Sequence, residues 1–264
     1  MSDAPDDVVR RAQERVEARH RRDFAAADRL RDEITAAGWQ VIDGADGFDL
    51  VPLPVRRVAS VIADAKSWAE DWDRFLASLT RQAPSPEAVQ IIGLEPGLGF
   101  AADRNAALGQ ADAEIVVFFD TSLEVTGDLL GVLAGALQDP AVAVAGPYGL
   151  VSADLHDYEE RTEGDVAAIQ GYCLAARWDD LKAVGGFRES FAFYRNADID
   201  LSLRLRTHGP EVRRAVAVGA EHCRRHAHRD WEETDPTERD RLSRKNMSRI
   251  LDRFAGRAGE LTVA

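Results

Sequence analysis

The chain has 264 residues, 45% of them apolar, which is enough for one large core or for one core with a small module beside it. Lys and Arg number 33 against 46 Asp and Glu, and the resulting net charge of −13 works against non-specific binding to nucleic acid or to an anionic membrane surface. No apolar run approaches the ~20 residues of a membrane span, and the charged opening MSDAPDDVVRRAQERVEARH lacks the apolar stretch of a secretory signal, so a cytoplasmic protein without a transmembrane segment is expected.

Residues 6–37 predict two helices. In the first, Val8, Val9, Ala12 and Val16 recur at near-helical spacing among charges. Asp23 is placed to cap the second, which carries Phe24, Ala27, Leu30 and Ile34 on one face, and Gly38 stops it. Two short β-prone runs, 39–43 and 48–53, flank GADG as a hairpin, and Pro52 and Pro54 mark a boundary. The expected organisation is therefore a helical hairpin with a β-ribbon over residues 1–54, followed by a second domain over 55–264.

From Arg56 the pattern alternates. Strands are expected at 58–63, 89–94, 115–119 and 141–145, with helices at 68–81, 101–109 and 128–137 between them. That order argues for a largely parallel sheet covered by helices on both faces, with ligands gathering beyond the carboxyl ends of the strands. Farther on, 167–175 reads as an edge strand, 179–184 as a short helix, 198–207 as a helix, 212–218 as the last strand and 237–254 as an amphipathic helix. The two cysteines, Cys173 and Cys223, have neither a disulfide framework nor metal-ligand spacing and are expected as small buried residues.

Three segments carry chemistry. Asp120 closes the apolar run IVVFF, a costly place for a carboxylate unless a metal or hydrogen bonds satisfy it. Read alone, it is equally a turn aspartate after a strand. GLGFAADRNAAL (97–108) joins a glycine turn to a helix bearing Arg104 and Asn105. FYRNADIDL (193–201) delivers Asp198 and Asp200 to a helix start, where either could serve as a cap. His222, His226 and His228 lie together in HCRRHAH, which reads either as a solvated basic turn or as a metal-binding tract.

Together these segments resemble the family-2 glycosyltransferases of the GT-A fold over roughly residues 56–255. The resemblance implies an α/β domain and an inverting transfer of sugar from a nucleotide-sugar donor to a sugar, lipid or protein acceptor. By position, Asp198 matches the base that takes the acceptor's proton, and Asp200 a helix cap. Asp120 matches the aspartate near ribose and metal. Arg104 and Asn105 match the donor-pocket pair, Asp64 the acid after the first strand, and His222 a histidine metal ligand. A divalent cation, manganese or magnesium, is implied with them. The match departs at three places: Ser122 stands where a second, metal-binding aspartate is expected, Ala197 where a glutamate is expected, and Gly93 where an acid reads the base. These departures are the features of a catalytically degenerate relative acting as a scaffold.

The N-terminal stretch RRAQERVEARHRRDFAAADRLRDEITAAGWQVIDGADGFDLVPL resembles the small C-terminal domain of cysteinyl-tRNA synthetases. That resemblance implies packing or dimerisation, or contact with tRNA phosphates through Arg15, Arg19, Arg22 and Arg29.

Overall fold

The structure, a computed structural model, describes residues 4–44, 47–52, 57–65, 68–94 and 97–264. The expected turn residues Ala45 and Asp46 and the expected boundary at Pro54 lie outside them. The chain divides into two compact units, Met1–Arg56 and Arg57–Ala264.

The first unit holds α1 (Asp6–His20), α2 (Phe24–Ala36), β1 (Trp39–Gly44) and β2 (Gly47–Pro52), the two strands pairing antiparallel. The Asp23 side chain accepts the Ala26 N–H (3.0 Å) and starts α2, and Gly38, at φ +81°, turns the chain out of it. Val8, Ala12, Ile34 and Leu50 form a small core. Phe24 was expected on the inward face of α2; that face runs through Ala27 and Ile34, and Phe24, the first residue of the helix, stays 63% exposed. Arg15 donates two hydrogen bonds to Asp43 (2.7 and 3.1 Å), and Arg19 pairs with the same carboxylate. These two arginines, read from sequence as phosphate contacts, thus share one carboxylate within the unit. The hydrogen bond from Arg15, opposed by burial and aided by Arg19, holds the Asp43 carboxyl down to about 2.

In the second unit β3 (Ala59–Asp64), α3 (Ala69–Gln82), β4 (Val89–Leu94), α4 (Phe100–Leu108) and β5 (Ile115–Phe119) alternate as the apolar pattern predicts. Next come β6 (Leu123–Val125), α5 (Leu129–Ala136), capped by the Asp128 carboxylate on the Gly131 N–H (3.0 Å), and β7 (Val142–Gly146). Four short strands follow: β8 (Gly149–Val151), β9 (Glu159–Arg161), β10 (Glu163–Val166) and β11 (Ala168–Ile169). The rest is β12 (Cys173–Arg177), α6 (Trp178–Ala183), α7 (Ala197–Thr207), β13 (Arg214–Val218), β14 (Cys223–Arg225), α8 (Arg229–Glu233), α9 (Pro236–Phe254) and α10 (Ala258–Leu261).

The main sheet has the order β10-β13-β7-β12-β5-β3-β4. Strands β3, β4, β5, β7 and β13 run parallel, and β10 and β12 run against them. Alternate residues of each strand feed opposite layers. Ile62, Val116 and Phe118 meet α4, α6, α7 and α9, whereas Val61, Val117 and Phe119 meet α3 and α5. Both cysteines are buried and free.

Two expectations for the second half are corrected. Residues 167–175 are not one edge strand: β11 pairs with β8 in a small separate sheet, and after a turn at 170–172 β12 enters the centre of the main sheet between β5 and β7. Small, fully buried Ala175 and Ala176 suit a strand covered on both faces, and a short apolar run reads the same at an edge or in the middle. Nor is β13 the last strand, since β14 follows and pairs with β6.

Arg206, at the end of α7, is only 4% exposed and ties three segments together. Its guanidinium donates to the carbonyls of Ala167 (2.8 Å), Leu261 (2.8 Å) and Arg213 (3.0 Å). Burial pulls its pKa down to about 10, so it stays charged at neutral pH. Truncation by Arg206→Ala strands three carbonyls in the interior. The expected loss is about 2–4 kcal/mol of unfolding free energy in urea titrations; a loss below about 1 kcal/mol would show that the carbonyls find other donors.

Candidate active site

The carboxyl ends of β3, β4 and β5 meet at one edge of the sheet, so Asp64, Leu94 and Asp120 line a common cavity of about 840 Å³. Because β12 runs antiparallel, it begins at that same edge. The turn before it makes two contacts that define the site. The Asp120 N–H donates to the Tyr172 carbonyl (2.9 Å), and the Gly171 N–H donates to Asp198 Oδ2 (2.7 Å). Asp120 and Asp198, far apart in sequence, both open on the cavity.

Asp120 is held at both oxygens. Oδ1 accepts the Ser122 N–H (2.8 Å), and Oδ2 lies 2.9 Å from His228 Nε2. Burial by itself raises the Asp120 pKa; the hydrogen bond and charge of His228, with the hydrogen bond from Ser122, outweigh it and hold the carboxyl below its ordinary range. Tyr194 stacks on the His228 ring, 5.1 Å between centroids, and Tyr172 meets it edge-on. Ser122 is 3% exposed, its hydroxyl buried without a partner among the described residues, and it lines a small adjoining cavity with Asp64, Arg104, Asp120 and His228.

Asp198 sits in the first turn of α7. Asn196 precedes the helix with φ +67°, a left-handed conformation that asparagine tolerates better than most residues. The Asp198 carboxylate accepts the N–H of Gly171 and of Ile199 (2.9 Å), but burial outweighs these and raises its pKa. Among the described residues no cation pairs with it directly, and Arg195 acts on it through its charge.

The remaining expected site residues divide. Asp64 and Arg104 line the cavity, the Arg104 guanidinium lying 3.7 Å from the Phe100 ring centroid. Asn105 does not: its amide bridges the Phe187 backbone, donating to the carbonyl (2.7 Å) and accepting the N–H (2.8 Å), so it fastens the Gly-Gly-Phe loop to α4. Asp200 is no helix cap; it is 1% exposed and paired with Arg204 (2.7 Å) and Arg188 (3.2 Å). Arg204 in turn donates to the carbonyls of Val184 and Gly186 and latches the same loop to α7. His222 lies against Gly127 and Glu221, away from the cavity, because β14 carries the chain past Asp120 before His228 returns to it. Arg225, in this stretch, is bound bidentate to Glu160. At Gly93 an added side chain would meet Ala65 Cβ at 2.9 Å, so this backbone leaves no room for the missing acid. Among the described residues, no group of three His, Cys, Asp or Glu side chains could hold a metal ion.

The family model for glycosyl transferase family 2 matches residues 70–201, half of the chain. The chain belongs to glycosyl transferase family 2. Solved structures agree on the fold. GalNAc-T7, solved with UDP, GalNAc and Mn²⁺, superposes with a TM-score of 0.56 at 11% identity, covering 81% of this chain and 51% of that one. The mannosyltransferase PcManGT from Pyrobaculum calidifontis, solved with GDP-Man and Mn²⁺, gives 0.53 at 16% identity, covering 78% of this chain and 69% of that one. These likenesses show a GT-A fold. A 51-residue stretch is 45% identical to a cysteine–tRNA ligase of Opitutus terrae, matching 19% of this chain and 11% of the ligase.

Among the cavity residues to which the sequence analysis gave no site role are His228, Tyr158, Arg195 and Trp231. His228 was one of three histidines with nothing local to rank it. Tyr158 lies in a segment with no pattern of its own. For this family-2 domain the His228 contact makes a direct prediction. In His228→Ala, burial is opposed by Ser122 without the histidine and the Asp120 pKa moves up, as followed by ¹³C NMR of its carboxyl carbon; an unmoved titration would show that His228 does not set it.

Proposed function

We propose that the chain is an inverting glycosyltransferase that moves a sugar from a nucleotide-sugar donor to an acceptor hydroxyl. The single observation that carries this reading is the pair of carboxylates opening on one cavity with opposite pKa shifts. A carboxylate held ionised suits a ligand for the divalent cation that would accompany the donor's diphosphate. A buried carboxylate with a raised pKa suits a general base, because it binds a proton more readily than an ordinary aspartate.

In this mechanism Asp198 takes the proton of the acceptor hydroxyl. That oxygen forms a bond to the anomeric carbon as the bond to the diphosphate oxygen breaks on the opposite face, and the nucleoside diphosphate leaves with the electron pair. One displacement with no enzyme-bound intermediate inverts the anomeric centre. Arg104 supplies positive charge at the donor end, and the apolar walls exclude water. Of the described side chains, Asp120 and a neutral His228 would be the two to hold a divalent cation at this end, fewer than a protein-only site needs. Such an ion would neutralise the leaving diphosphate.

Calorimetric titration with UDP-, GDP- and dTDP-sugars, with and without manganese, tests the reading. One donor is expected to bind with micromolar affinity, about tenfold weaker in Asp120→Asn and unchanged in Asp198→Asn. Turnover in Asp198→Asn is expected to fall by about 10²–10⁴-fold. Well-folded protein that binds no donor would instead be a non-catalytic relative. The pH dependence has a definite sign. With the Asp198 pKa raised, kcat falls with acidification already above the ordinary aspartate range of about 4, as the base takes up its proton. An acid limb at or below that range would remove Asp198 from the role.

A further inference from the structure

The two ends of the cavity differ in charge. Asp64, Arg104, Asp120 and His228 line both the large cavity and the small one adjoining it, and mark the donor end. Farther along, the wall is built by the 192–196 loop and by α9. Asn196 Nδ2 donates to the Ser243 carbonyl (3.2 Å), and Asn246 Nδ2 donates to the carbonyls of Phe193 (3.0 Å) and Arg195 (2.8 Å). These bonds set Arg195 on the loop beside Ser243 and Arg244 on the helix, and all three line the cavity.

Neither the Arg195 nor the Arg244 guanidinium makes a hydrogen bond or ion pair among the described residues. Both side chains are exposed, and water solvates them where no ligand does. Elsewhere around the site arginines are matched: Arg188 and Arg204 with Asp200, Arg225 with Glu160, Arg229 with Asp71. The face of Trp231 lies 4.7 Å from the Arg195 guanidinium carbon, which orients the cation without neutralising it. Two buried hydroxyls in the same walls, Ser243 Oγ and Tyr158 Oη, also have no partner among the described residues. Tyr158 is close enough to Asp198 to feel its charge. Unpaired buried donors of this kind cost free energy unless a ligand satisfies them.

We infer that this half of the cavity takes an anionic acceptor, one whose phosphate or carboxylate group is held by Arg195 and Arg244 while its hydroxyl reaches Asp198. Guanidinium groups recognise both oxyanions through paired N–H donors. The Ser243 and Tyr158 hydroxyls supply further donors to the acceptor. The exposed acid on the facing loop, Asp157, repels an anion from its own side and favours the α9 side. The inference rests on the glycosyl-transfer reading above and adds the class of acceptor.

The test uses the full chain saturated with the nucleoside diphosphate of whichever donor binds. Binding of a neutral hexose, its 6-phosphate, the corresponding hexuronate and inorganic phosphate is compared by calorimetry. A charged member is expected to bind about tenfold tighter than the hexose or more. A 6-phosphate preferred over the uronate identifies a phosphate acceptor, and the reverse order a carboxylate. Arg195→Gln and Arg244→Gln are each expected to remove that preference while donor affinity holds, and Arg244→Lys to restore part of it. Charged members that bind no better than the hexose, or a preference that survives both glutamine variants, would overturn the inference with donor binding intact. Absence of any donor binding would overturn the reading beneath it.

Discussion

A three-residue turn, Gln170–Tyr172, brings the two carboxylates of the cavity together. Its glycine N–H reaches the Asp198 carboxylate, and its tyrosine carbonyl receives the Asp120 N–H. Those two bonds bring the end of a parallel strand and the start of a late helix to one edge of the sheet. The turn occurs there because β12 runs against its neighbours and so begins where β5 ends, with Cys173 opposite Phe119. A parallel strand in that slot would begin at the far edge and leave Asp198 with no anchor.

The same low-polarity surroundings act on the two carboxylates in opposite ways. Both lose solvation, which favours protonation. Asp120 regains its charge through the imidazole of His228; Asp198 has only peptide N–H groups and a more distant guanidinium. One environment therefore holds one carboxyl below its ordinary range and lifts the other above it across the same cavity, and the main difference is the position of one histidine.

The loops around these groups are held by polar side chains rather than by further strands. Asn105 bridges both backbone groups of Phe187, Arg204 fastens Val184 and Gly186 to α7, and Asn246 fastens Phe193 and Arg195 to α9. Each side chain answers carbonyls or N–H groups that a loop would otherwise leave unpaired, which keeps irregular backbone close to a buried site. Asn105 and Asp200 stand in motif positions yet serve this scaffolding.

The amino-acid order by itself determined the elements and the fold class. Apolar runs of period two and 3.6, with their caps and glycine stops, place β4 and β5 to the residue and most helices to within one or two. Runs as apolar as IVVFF can be satisfied only inside a sheet covered on both faces. It also marked Asp120 and Asp198, because a carboxylate at the end of a buried run and another at a helix start stand out locally. The tertiary structure alone decided that β12 lies in the centre of the sheet, that Asn105 faces away from the cavity, and that His228 rather than His222 meets Asp120. These are matters of strand order and of which way a loop returns. They are set by hydrogen bonds and packing between residues tens of positions apart, and local periodicity holds no record of such contacts.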